Sequence, residues 1–371
     1  MNFNCILNDS EFIHKMLRDE LPLHERDEKG LNLFLYTLTS DKYIQHLELL
    51  LKHKKNALHE GFDTALFHAI ENENVPGVEL LLKHGANPNC VKSYAWKETP
   101  ILLAIRKRNL ILVKLLLQYG ADINEKDGND TTGLMIAIYQ SNMEMVKFLI
   151  ANGADVNIHS IHGTALKKTL LDRNDGLSDL LIDSGALIVD VHNEMKESAL
   201  HIAAQVGSLK RVQYFVQSGI PVNQHNRAGQ TPVMIACMHR HYDVVEYLIA
   251  CGAHIKATSS KEVMGILNIL NDGNLKLIQL LLEHGLNLYE IIKKENPFYY
   301  VSNCESINFL LEFGMNINER NRFNKNDYAS LHFSKTIDQL EVLEQHKEKM
   351  EPELLEKYLE IRFAMLLQTI E

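Results

Sequence analysis

The chain has 371 residues, of which 46% are hydrophobic and 23% charged, and this composition is ample for a folded core. Its formal net charge of −10 argues against nucleic-acid binding, which needs a basic surface. No apolar stretch reaches the ~20 residues that a membrane span needs, and the five scattered cysteines, with no Cys-x-x-Cys spacing, favour a reducing, cytoplasmic setting.

The amino-terminal segment, residues 1–26, contains one predicted helix. Ser10–Asp19 places Phe12, Ile13 and Met16 on one face, which is the pattern of a short amphipathic helix. We interpret this segment as a helical cap on the part of the chain that follows.

The segment after the cap repeats itself. Leu47–His53, which reads Leu-Glu-Leu-Leu-Leu-Lys-His, returns almost unchanged at Val78–His84. An internal repeat of this kind indicates an array of similar structural units.

Thr99–Asn124 shows the repeated unit most clearly. Thr99 suits a helix N-cap, and Pro100 suits the first helical position, where no N–H is needed. A second helix follows from Leu110, and Gly120 suits a left-handed helix end. Two helices this short cannot bury their apolar faces on each other alone, so they need copies on either side.

The copies keep a period near 33 residues. The glycines of a Gly-Ala-Asp/Asn-x-Asn signal and of its weaker forms lie 29 to 35 residues apart, at Gly85, Gly120, Gly153, Gly185, Gly219, Gly252, Gly285 and Gly314. The predicted helix starts keep step, at Thr64, Thr99, Thr132, Thr164, Ser198 and Thr231. These two signals, in register with each other, resemble the ankyrin repeat.

The resemblance implies an all-α ankyrin-repeat solenoid of about nine to ten helix-turn-helix repeats with helical caps. We predict the amino-terminal cap at 1–26, the repeat array at 27–346 and a carboxy-terminal helix at 347–371. Inside the array, the fifth repeat, 160–191, departs most from the pattern, with Val189 where asparagine is usual.

The last repeats are degenerate. The repeat near 259–290 has lost its Thr-Pro signal, and the next is shortened, with Asn296–Tyr300 as its first helix and Ile307–Phe313 as its second. The segment 321–346 lacks the closing glycine and is expected to end the array, because terminal repeats face water on one side.

The resemblance also implies a function in protein binding. Partners of ankyrin proteins usually bind a concave face made by the hairpin tips and the ends of the first helices. The register places seven candidate partner-binding residues there: Trp96, Arg106, Lys107, Tyr139, Arg227, Met238 and His239. Trp96 is the single tryptophan and our best anchor, since aromatic side chains dominate interface hot spots. Its ring either stands exposed at a hairpin tip or folds back onto the neighbouring finger.

The residues around this anchor carry positive charge. Arg106, Lys107 and Arg108, together with Lys97, form a basic cluster on an acidic chain. The cluster predicts a partner protein with an acidic or mixed-charge segment. The competing interpretation, a solvated helix end, is the better supported of the two.

The sequence contains one cluster of possible zinc ligands, but its spacing does not predict a metal site. Cys237, His239, His241 and Cys251 are residue types that bind zinc. However, His239 ends a first helix and Cys251 ends a second, which separates them by about 13 Å at ~1.5 Å per residue. The resemblance gives His241 and His201 structural roles. We expect no metal, no cofactor and no catalytic residue, because no phosphate-binding loop or nucleophile elbow is present.

The carboxy-terminal helix is predicted from Pro352 to about Gln368. Leu355, Leu359 and Phe363 lie on one side of it, and we expect that side to pack on the last repeat. Its acidic and then apolar sequence is also similar to the tails that type IV secretion systems of intracellular bacteria read on their effectors.

The sequence therefore predicts a monomeric protein–protein interaction module with no membrane span. It would act in the cytoplasm or, as a secreted bacterial effector, in the cytosol of a host cell. Two other classes stay open: an enzyme with an active site in the degenerate carboxy-terminal repeats, and a passive scaffold.

Overall fold

The computed structural model of the protein describes residues 3–8, 12, 15, 25–58, 61–92, 96–189, 196–255, 260–320, 328–333 and 335–368. The chain divides into two compact units, residues 1–187 and 188–371. The predicted helix Ser10–Asp19 lies outside the described residues, apart from two positions. One of these is Phe12, whose buried ring meets the His46 ring edge-on at 4.8 Å between centroids.

The first unit consists of short helices that follow one another in pairs. Its helices are α1 (Phe3–Leu7), α2 (Leu33–Thr37), α3 (Ile44–Leu58), α4 (Phe62–Glu71), α5 (Val75–Lys83), α6 (Pro100–Arg106), α7 (Leu110–Gln118), α8 (Gly133–Tyr139), α9 (Met143–Ala151), α10 (Ala165–Leu171) and α11 (Asp175–Asp183). First helices contact first helices of the neighbouring pair, as α6 contacts α4 and α8, and α7 likewise contacts α5. The pairs are therefore stacked within the unit.

The second unit repeats this plan with more departures from it. Its helices are α12 (Ala199–Val206), α13 (Leu209–Gln217), α14 (Pro232–Met238), α15 (Tyr242–Ala250), α16 (Ser260–Asn271), α17 (Leu275–Glu283), α18 (Leu288–Lys294), α19 (Cys304–Phe313), α20 (Ala329–Phe333), α21 (Ile337–Gln345) and α22 (Pro352–Gln368). With the 3₁₀ turn Pro297–Tyr299 as the first half of the pair that α19 completes, the described residues of both units hold ten helix pairs. The all-α solenoid prediction is confirmed.

Extended structure in the described residues is confined to the loops before first helices, which we call fingers. The strands β1 (His159–Ser160) and β2 (Gly163–Thr164) form a two-stranded antiparallel hairpin before α10. In the finger before α8, Lys126 and Thr132 form an isolated antiparallel bridge. The fingers thus project as narrow hairpins from the helical stack.

The core follows the predicted helical spacing. On α7, Leu112, Val113 and Leu116 are buried, and burying side chains of this kind stabilises a fold by roughly 1.5–3 kcal/mol each. The helix ends at Gln118, and Gly120 just beyond it has a φ of +87°, in the left-handed region that glycine adopts without a steric penalty.

The threonines before first helices stand at the predicted position, but their hydroxyls behave in two ways. Thr132 and Thr164 accept hydrogen bonds from the N–H three residues on. Thr99 and Thr231, which both precede a proline, are buried with hydroxyls that have no partner among the described residues. The side-chain N-cap expected of Thr99 is therefore wrong, although Pro100 does begin the helix.

Second helices have their own caps, which the sequence analysis missed. An asparagine side chain accepts the N–H three residues on at Asn74, Asn109, Asn142, Asn174, Asn274 and Asn303. This is ordinary N-cap chemistry, and it explains why asparagine recurs before the second helices.

A second set of asparagines connects neighbouring repeats, and we call each such connection an asparagine bridge. Asn157 accepts the N–H of Leu187 at 2.8 Å and donates to the carbonyl of Gly185 at 3.1 Å. The same pair of bonds is made by Asn89, Asn223 and Asn318. Each of them donates to a carbonyl at the end of the next repeat and accepts the N–H of the residue two positions later. The terminal asparagine of the Gly-Ala-Asp-x-Asn signal thus has a physical role, since it ties one repeat to the next.

The predicted helix at Asn296–Tyr300 in the second unit needs correction. Asn296–Tyr300 was expected to be a helix but forms only the 3₁₀ turn Pro297–Tyr299. The unpredicted helix α18 precedes it, because Asn287 caps that helix by accepting the N–H of Glu290 instead of opening a finger.

The packed side of α22 is also different from the predicted one. The helix has the predicted bounds, but Leu354 and Tyr358 are its fully buried residues, while Leu359 is 52% and Phe363 66% exposed. Tyr358 sets this orientation, because its hydroxyl donates to the Glu344 carboxylate at 2.6 Å. The prediction that Leu355, Leu359 and Phe363 pack on the last repeat is wrong.

Among the described residues, no helix combines the length and the apolar character needed to cross a bilayer. The division into cap, array and carboxy-terminal helix at residues 26 and 346 stays a prediction. The boundary between the two compact units instead falls at residue 187, inside the divergent fifth repeat.

Candidate functional site

The first unit contains a cavity of about 540 Å³ beside the fingers that precede α6, α8 and α10. We call it the Trp96 cavity. It is lined by Trp96, Glu98, Arg106, Asp127, Asn129, Thr131, Ile136, Tyr139, Gln140 and His162. Its wall thus combines finger residues with residues from the ends of α6 and α8. A cavity of this size lies in the range of ligand sites.

Trp96 stands at the tip of its finger with 69% of its surface exposed. Its carbonyl accepts the N–H of Gly128 at 2.9 Å, which ties this finger to the next one. The register therefore placed it correctly. The alternative, a ring folded back onto the neighbouring finger, does not describe a side chain this exposed.

Arg106 lines the cavity and is paired with two carboxylates. Its guanidinium donates to Glu98 at 3.1 Å and to Asp127 at 2.7 Å. Asp127 is buried, and its other oxygen accepts the N–H groups of Asn129 and Thr131. The charge of Arg106 is consequently compensated inside the protein, which weakens the prediction that this residue attracts an acidic segment.

Gln140 joins α6 to α8 and leaves one atom without a donor. Its side-chain Nε2 donates to the backbone carbonyl of Arg106 at 2.9 Å, and its backbone carbonyl accepts from the Arg108 guanidinium at 3.0 Å. In the described part of the chain, its buried Oε1 has no hydrogen-bond partner. A buried acceptor without a donor costs roughly 1–3 kcal/mol, so a ligand that supplies a donor would relieve that cost.

Tyr139 forms the opposite wall from the end of α8 and is 42% exposed. The ammonium of Lys168 lies 5.8 Å from its ring centroid and pairs with Asp172 at 2.6 Å. Lys107, predicted at the rim of the same site, is exposed beside Arg106 and is not part of the cavity lining.

The structure adds two apolar residues that were not predicted. Ile161 at the next finger tip is 63% exposed, and its N–H donates to Asn129 of the cavity wall at 3.3 Å. Leu171 is partly exposed at the same position in its helix as Arg106 and Tyr139, seven residues after the N-cap. The register could have selected both, because Ile161 lies three residues before its N-cap, as Trp96 does, and Leu171 shares the helix position of Arg106 and Tyr139.

The remaining candidates lie in the second unit. Arg227 is exposed in a finger, and Met238 is half-buried, with its sulfur accepting from Gln230 at 3.3 Å. His239 is exposed and stacks on His241 at 6.3 Å between ring centroids. Burial, with a smaller contribution from His241, lowers the pKa of His239. The seven predicted residues therefore fall into two sets, one in each unit.

The two histidines with proposed structural roles are embedded in the second unit. His201 is buried, its Nδ1 lies 2.8 Å from the Ser198 hydroxyl, and its Nε2 lies 3.2 Å from the Gln230 carbonyl. Burial lowers the pKa of His201 to about 4. The Ser198–His201 contact is thus a buried helix cap. His241 likewise contacts the carbonyl of Gln205 at 3.0 Å.

Cys237 is unsuited to covalent chemistry. Its side chain is fully buried on α14, and burial raises the pKa of its thiol to about 12. A thiol becomes a nucleophile as its thiolate, which burial in apolar surroundings disfavours.

Comparisons with known proteins support the repeat assignment. Residues 86–160 and 168–259 match the family model described as ankyrin repeats (3 copies), and residues 62–93 match the model for a single ankyrin repeat. The crystal structure of the ankyrin repeat domain of Bcl-3 is similar with a TM-score of 0.50 at 24% identity, covering 58% of this chain and 99% of that one. This last similarity supports the fold.

Two human relatives show how widely the similarity extends. Rabankyrin-5 from Homo sapiens is 31% identical over 304 residues, which is 77% of this chain and 24% of the relative. Protein phosphatase 1 regulatory subunit 27 from Homo sapiens is 40% identical over 62 residues, which is 17% of this chain and 40% of the relative. The chain spans between 6% and 40% of the length of the curated relatives that it matches first.

Proposed function

Because the chain belongs to the ankyrin repeat family, we propose that it is a protein-binding module whose partner inserts a segment into the Trp96 cavity. The observation that carries the proposal is the exposed Trp96 at the mouth of a cavity of about 540 Å³. A tryptophan that is held by its finger and left uncovered by its own chain has the chemistry of an interface anchor.

The proposed binding surface continues beyond the cavity. Tyr139, Ile161 and Leu171 are partly exposed on the same side of the first unit, and Lys97 and Lys107 are exposed at its edge. This arrangement, an apolar centre with a charged rim, is that of a protein interface. It suits a partner segment of mixed charge, since Arg106 is already paired with carboxylates. The proposal includes the concave-face geometry that is usual for the family, a monomeric protein and a non-enzymatic role.

Site-specific photo-cross-linking tests this proposal. A benzoylphenylalanine at position 96 should cross-link one partner stoichiometrically, whereas the same residue in place of Tyr289, 67% exposed in the second unit, should not. The captured partner should then bind the purified protein, and Trp96→Ala should weaken that binding by about 2 kcal/mol. Ile111→Ala, an exposed position on α7 of the same repeat, is the matched control that should bind normally.

Two results would overturn the proposal. Equal cross-linking from positions 96 and 289 would mean that the cavity is not selective. Unchanged affinity of Trp96→Ala, with loss of affinity in variants of Arg227 or Met238, would place binding in the second unit.

We also propose that the protein acts in the cytosol, either of its own cell or, as a secreted effector, of a host cell. In support, the described cysteines Cys90, Cys237, Cys251 and Cys304 are free thiols. The exposed side of α22 with Leu359 and Phe363 is available as a secretion signal. A fused translocation reporter tests this, because Leu359→Asp with Phe363→Asp should abolish export while the melting temperature stays unchanged.

A further inference from the structure

The described lining of the Trp96 cavity carries a surplus of one negative charge. Its wall carries Glu98 and Asp127 against the single cation Arg106. All the contacts described for the Arg106 guanidinium go to these two carboxylates. From this surplus and the two aromatic walls we propose that the cavity receives an arginine side chain of the partner segment. This inference rests on the proposed function and specifies the residue that it recognises.

Two acceptors in the wall keep unused capacity. Asp127 is satisfied by Arg106 and two backbone N–H groups. The bond from Arg106 uses one oxygen of Glu98, and a carboxylate offers about four acceptor sites over its two oxygens. Among the described residues, the buried Gln140 Oε1 lacks any donor. An incoming group with several N–H donors would satisfy the open acceptor sites of Glu98, and it would bind Gln140 Oε1 after a rotation of that buried amide towards the cavity.

The aromatic walls favour a cation as well. Trp96 and Tyr139 line the cavity from its two sides, and an arginine or lysine placed over such a ring gains from the attraction of the positive charge to the ring face. Trp96 is the better platform, because tryptophan binds cations most strongly and 69% of this residue is uncovered.

The chain itself contains the same arrangement one repeat earlier. A neighbouring cavity of about 320 Å³ includes Phe67, Glu71 and Lys92 in its lining. There the ammonium of Lys92 lies 5.8 Å from the Phe67 ring centroid and forms an ion pair with Glu71. Glu71 ends α4 as Arg106 ends α6. In that cavity the chain supplies the cation between a ring and a carboxylate, as Lys168 does between Tyr139 and Asp172. The Trp96 ring has no such cation described over it, and that is where the cation of the partner would lie.

Arginine fits this site better than lysine does. A guanidinium is planar, so it can lie flat on an aromatic ring such as that of Trp96 while its edge donates to a carboxylate such as that of Glu98. A lysine ammonium is a compact, strongly hydrated charge that cannot do both. An acidic side chain would face the Glu98 and Asp127 carboxylates, and the Arg106 guanidinium is already bound to both of them.

The single tryptophan makes the test direct, because the spectrum contains one indole N–H signal and it belongs to Trp96. N-acetyl-arginine N-methylamide is titrated into the ¹⁵N-labelled full chain, with the citrulline, lysine and glutamate analogues as competitors of the same size class. Citrulline is nearly isosteric with arginine but neutral. The arginine probe should shift the indole signal saturably and bind about tenfold more tightly than citrulline.

Variants of the wall then assign the interaction to the proposed groups. Glu98→Gln should weaken the arginine probe about tenfold and bring it to the level of citrulline. Glu144→Gln, the same substitution at an exposed position on α9, should leave its affinity unchanged. If Glu98→Gln perturbs folding, Gln140→Leu removes the second acceptor, and it should weaken the arginine and citrulline probes by similar factors, because both side chains donate N–H bonds.

The failure of this inference is distinguishable from failure of the proposed function. Equal or tighter binding of citrulline or glutamate, or no saturable shift with any probe, would overturn the arginine assignment. If a partner nevertheless cross-links to position 96, the protein-binding proposal stands while the arginine inference falls. If the arginine probe binds as expected and also displaces that partner, both stand.

Discussion

Two successive repeats, the one that ends at Asn157 and the divergent fifth repeat, differ in how they are tied to the repeat that follows. After α9, Asn157 bridges to Gly185 and Leu187 with two hydrogen bonds. At the corresponding position after α11 stands Val189, which has no amide, and the matching acceptor and donor positions are Gly219 and Pro221. Pro221 has no N–H, so both halves of the asparagine bridge are chemically removed there.

The repeat without this bridge is folded nevertheless. Val212 and Phe215 on α13 and Ile220 after it are buried, as their counterparts are in other repeats. Apolar packing therefore carries the main stabilisation of a repeat, and the asparagine bridge adds a smaller polar contribution. The predictions that follow measure these two contributions, starting with packing.

The largest effect is expected from a packing residue at the last asparagine bridge. Asn318 accepts the N–H of Glu351, and Leu354 is fully buried just beyond it. Leu354→Ala should lower the free energy of unfolding of the second unit by about 3 kcal/mol. Leu359→Ala, the same substitution on the exposed side of α22, should change it by less than about 0.5 kcal/mol. Urea unfolding followed by circular dichroism measures both.

That pair of variants also decides which side of α22 packs. A larger loss for Leu359→Ala than for Leu354→Ala would restore the sequence-based orientation of the helix and contradict the structure.

The next effect comes from breaking an intact asparagine bridge. Asn157→Val removes the bonds to Gly185 and Leu187, and it should destabilise the first unit by about 1.5 kcal/mol, since each bond contributes about 1 kcal/mol or less at an exposed site. Asn157→Asp keeps the acceptor for the Leu187 N–H and loses the donor, so its free energy of unfolding should lie between those of the parent and of Asn157→Val. Equal stability of all three proteins would show that the bridge contributes nothing.

A polar contact in the second unit should contribute about 1 kcal/mol and depend on pH. Hydrogen bonds from Lys347 and Tyr358, helped by the charge of Arg362, lower the pKa of Glu344 to about 2. A carboxylate whose pKa is lower in the folded state stabilises that state fully above its unfolded pKa of about 4.5. That stabilisation is lost as the pH falls from about 4.5 to about 2.

Glu344→Gln tests this dependence by urea unfolding at pH 7 and at pH 3. The variant should be about 1 kcal/mol less stable than the parent at pH 7, because the site is partly exposed. The difference should shrink at pH 3. Glu348→Gln, an exposed neighbour, is the matched control. A difference that persists undiminished at pH 3 would mean that the shape of Glu344 matters and its charge does not.

The sequence predicted the repeats well because their signals are local. The closing glycines and the apolar spacing of α7 depend on backbone conformation and burial within one repeat, and both are confirmed. The side of α22 was missed because Leu354 and Leu355 are equivalent in composition. Contacts between distant residues distinguish them, among them the hydrogen bond from Tyr358 to Glu344, 14 positions apart, and the ion pair of Arg362 with Glu344.

The candidate site was predicted in part for the same reason. Register alone placed Trp96 and Tyr139 at one cavity, because finger tips and helix ends recur at fixed positions. Register could not show that Arg106 is paired with Asp127 from the next finger, which depends on the contact between repeats. Part of the positive charge of the predicted basic cluster is therefore neutralised by ion pairs that the sequence did not indicate.

The smallest effect is expected from building the missing asparagine bridge. Val189→Asn alone should change the free energy of unfolding little, because Pro221 still offers no N–H, and Pro221→Ala alone should destabilise slightly by loosening the unfolded chain. Together they restore an amide facing an N–H, so the double variant should be about 0.8 kcal/mol more stable than the sum of the single changes. Val189→Leu combined with Pro221→Ala, which changes the same two positions without an amide, should show no such coupling. Additivity in the asparagine cycle would mean that residues 189 and 221 do not meet as Asn157 and Leu187 do, and that the two repeats differ in geometry as well as in chemistry.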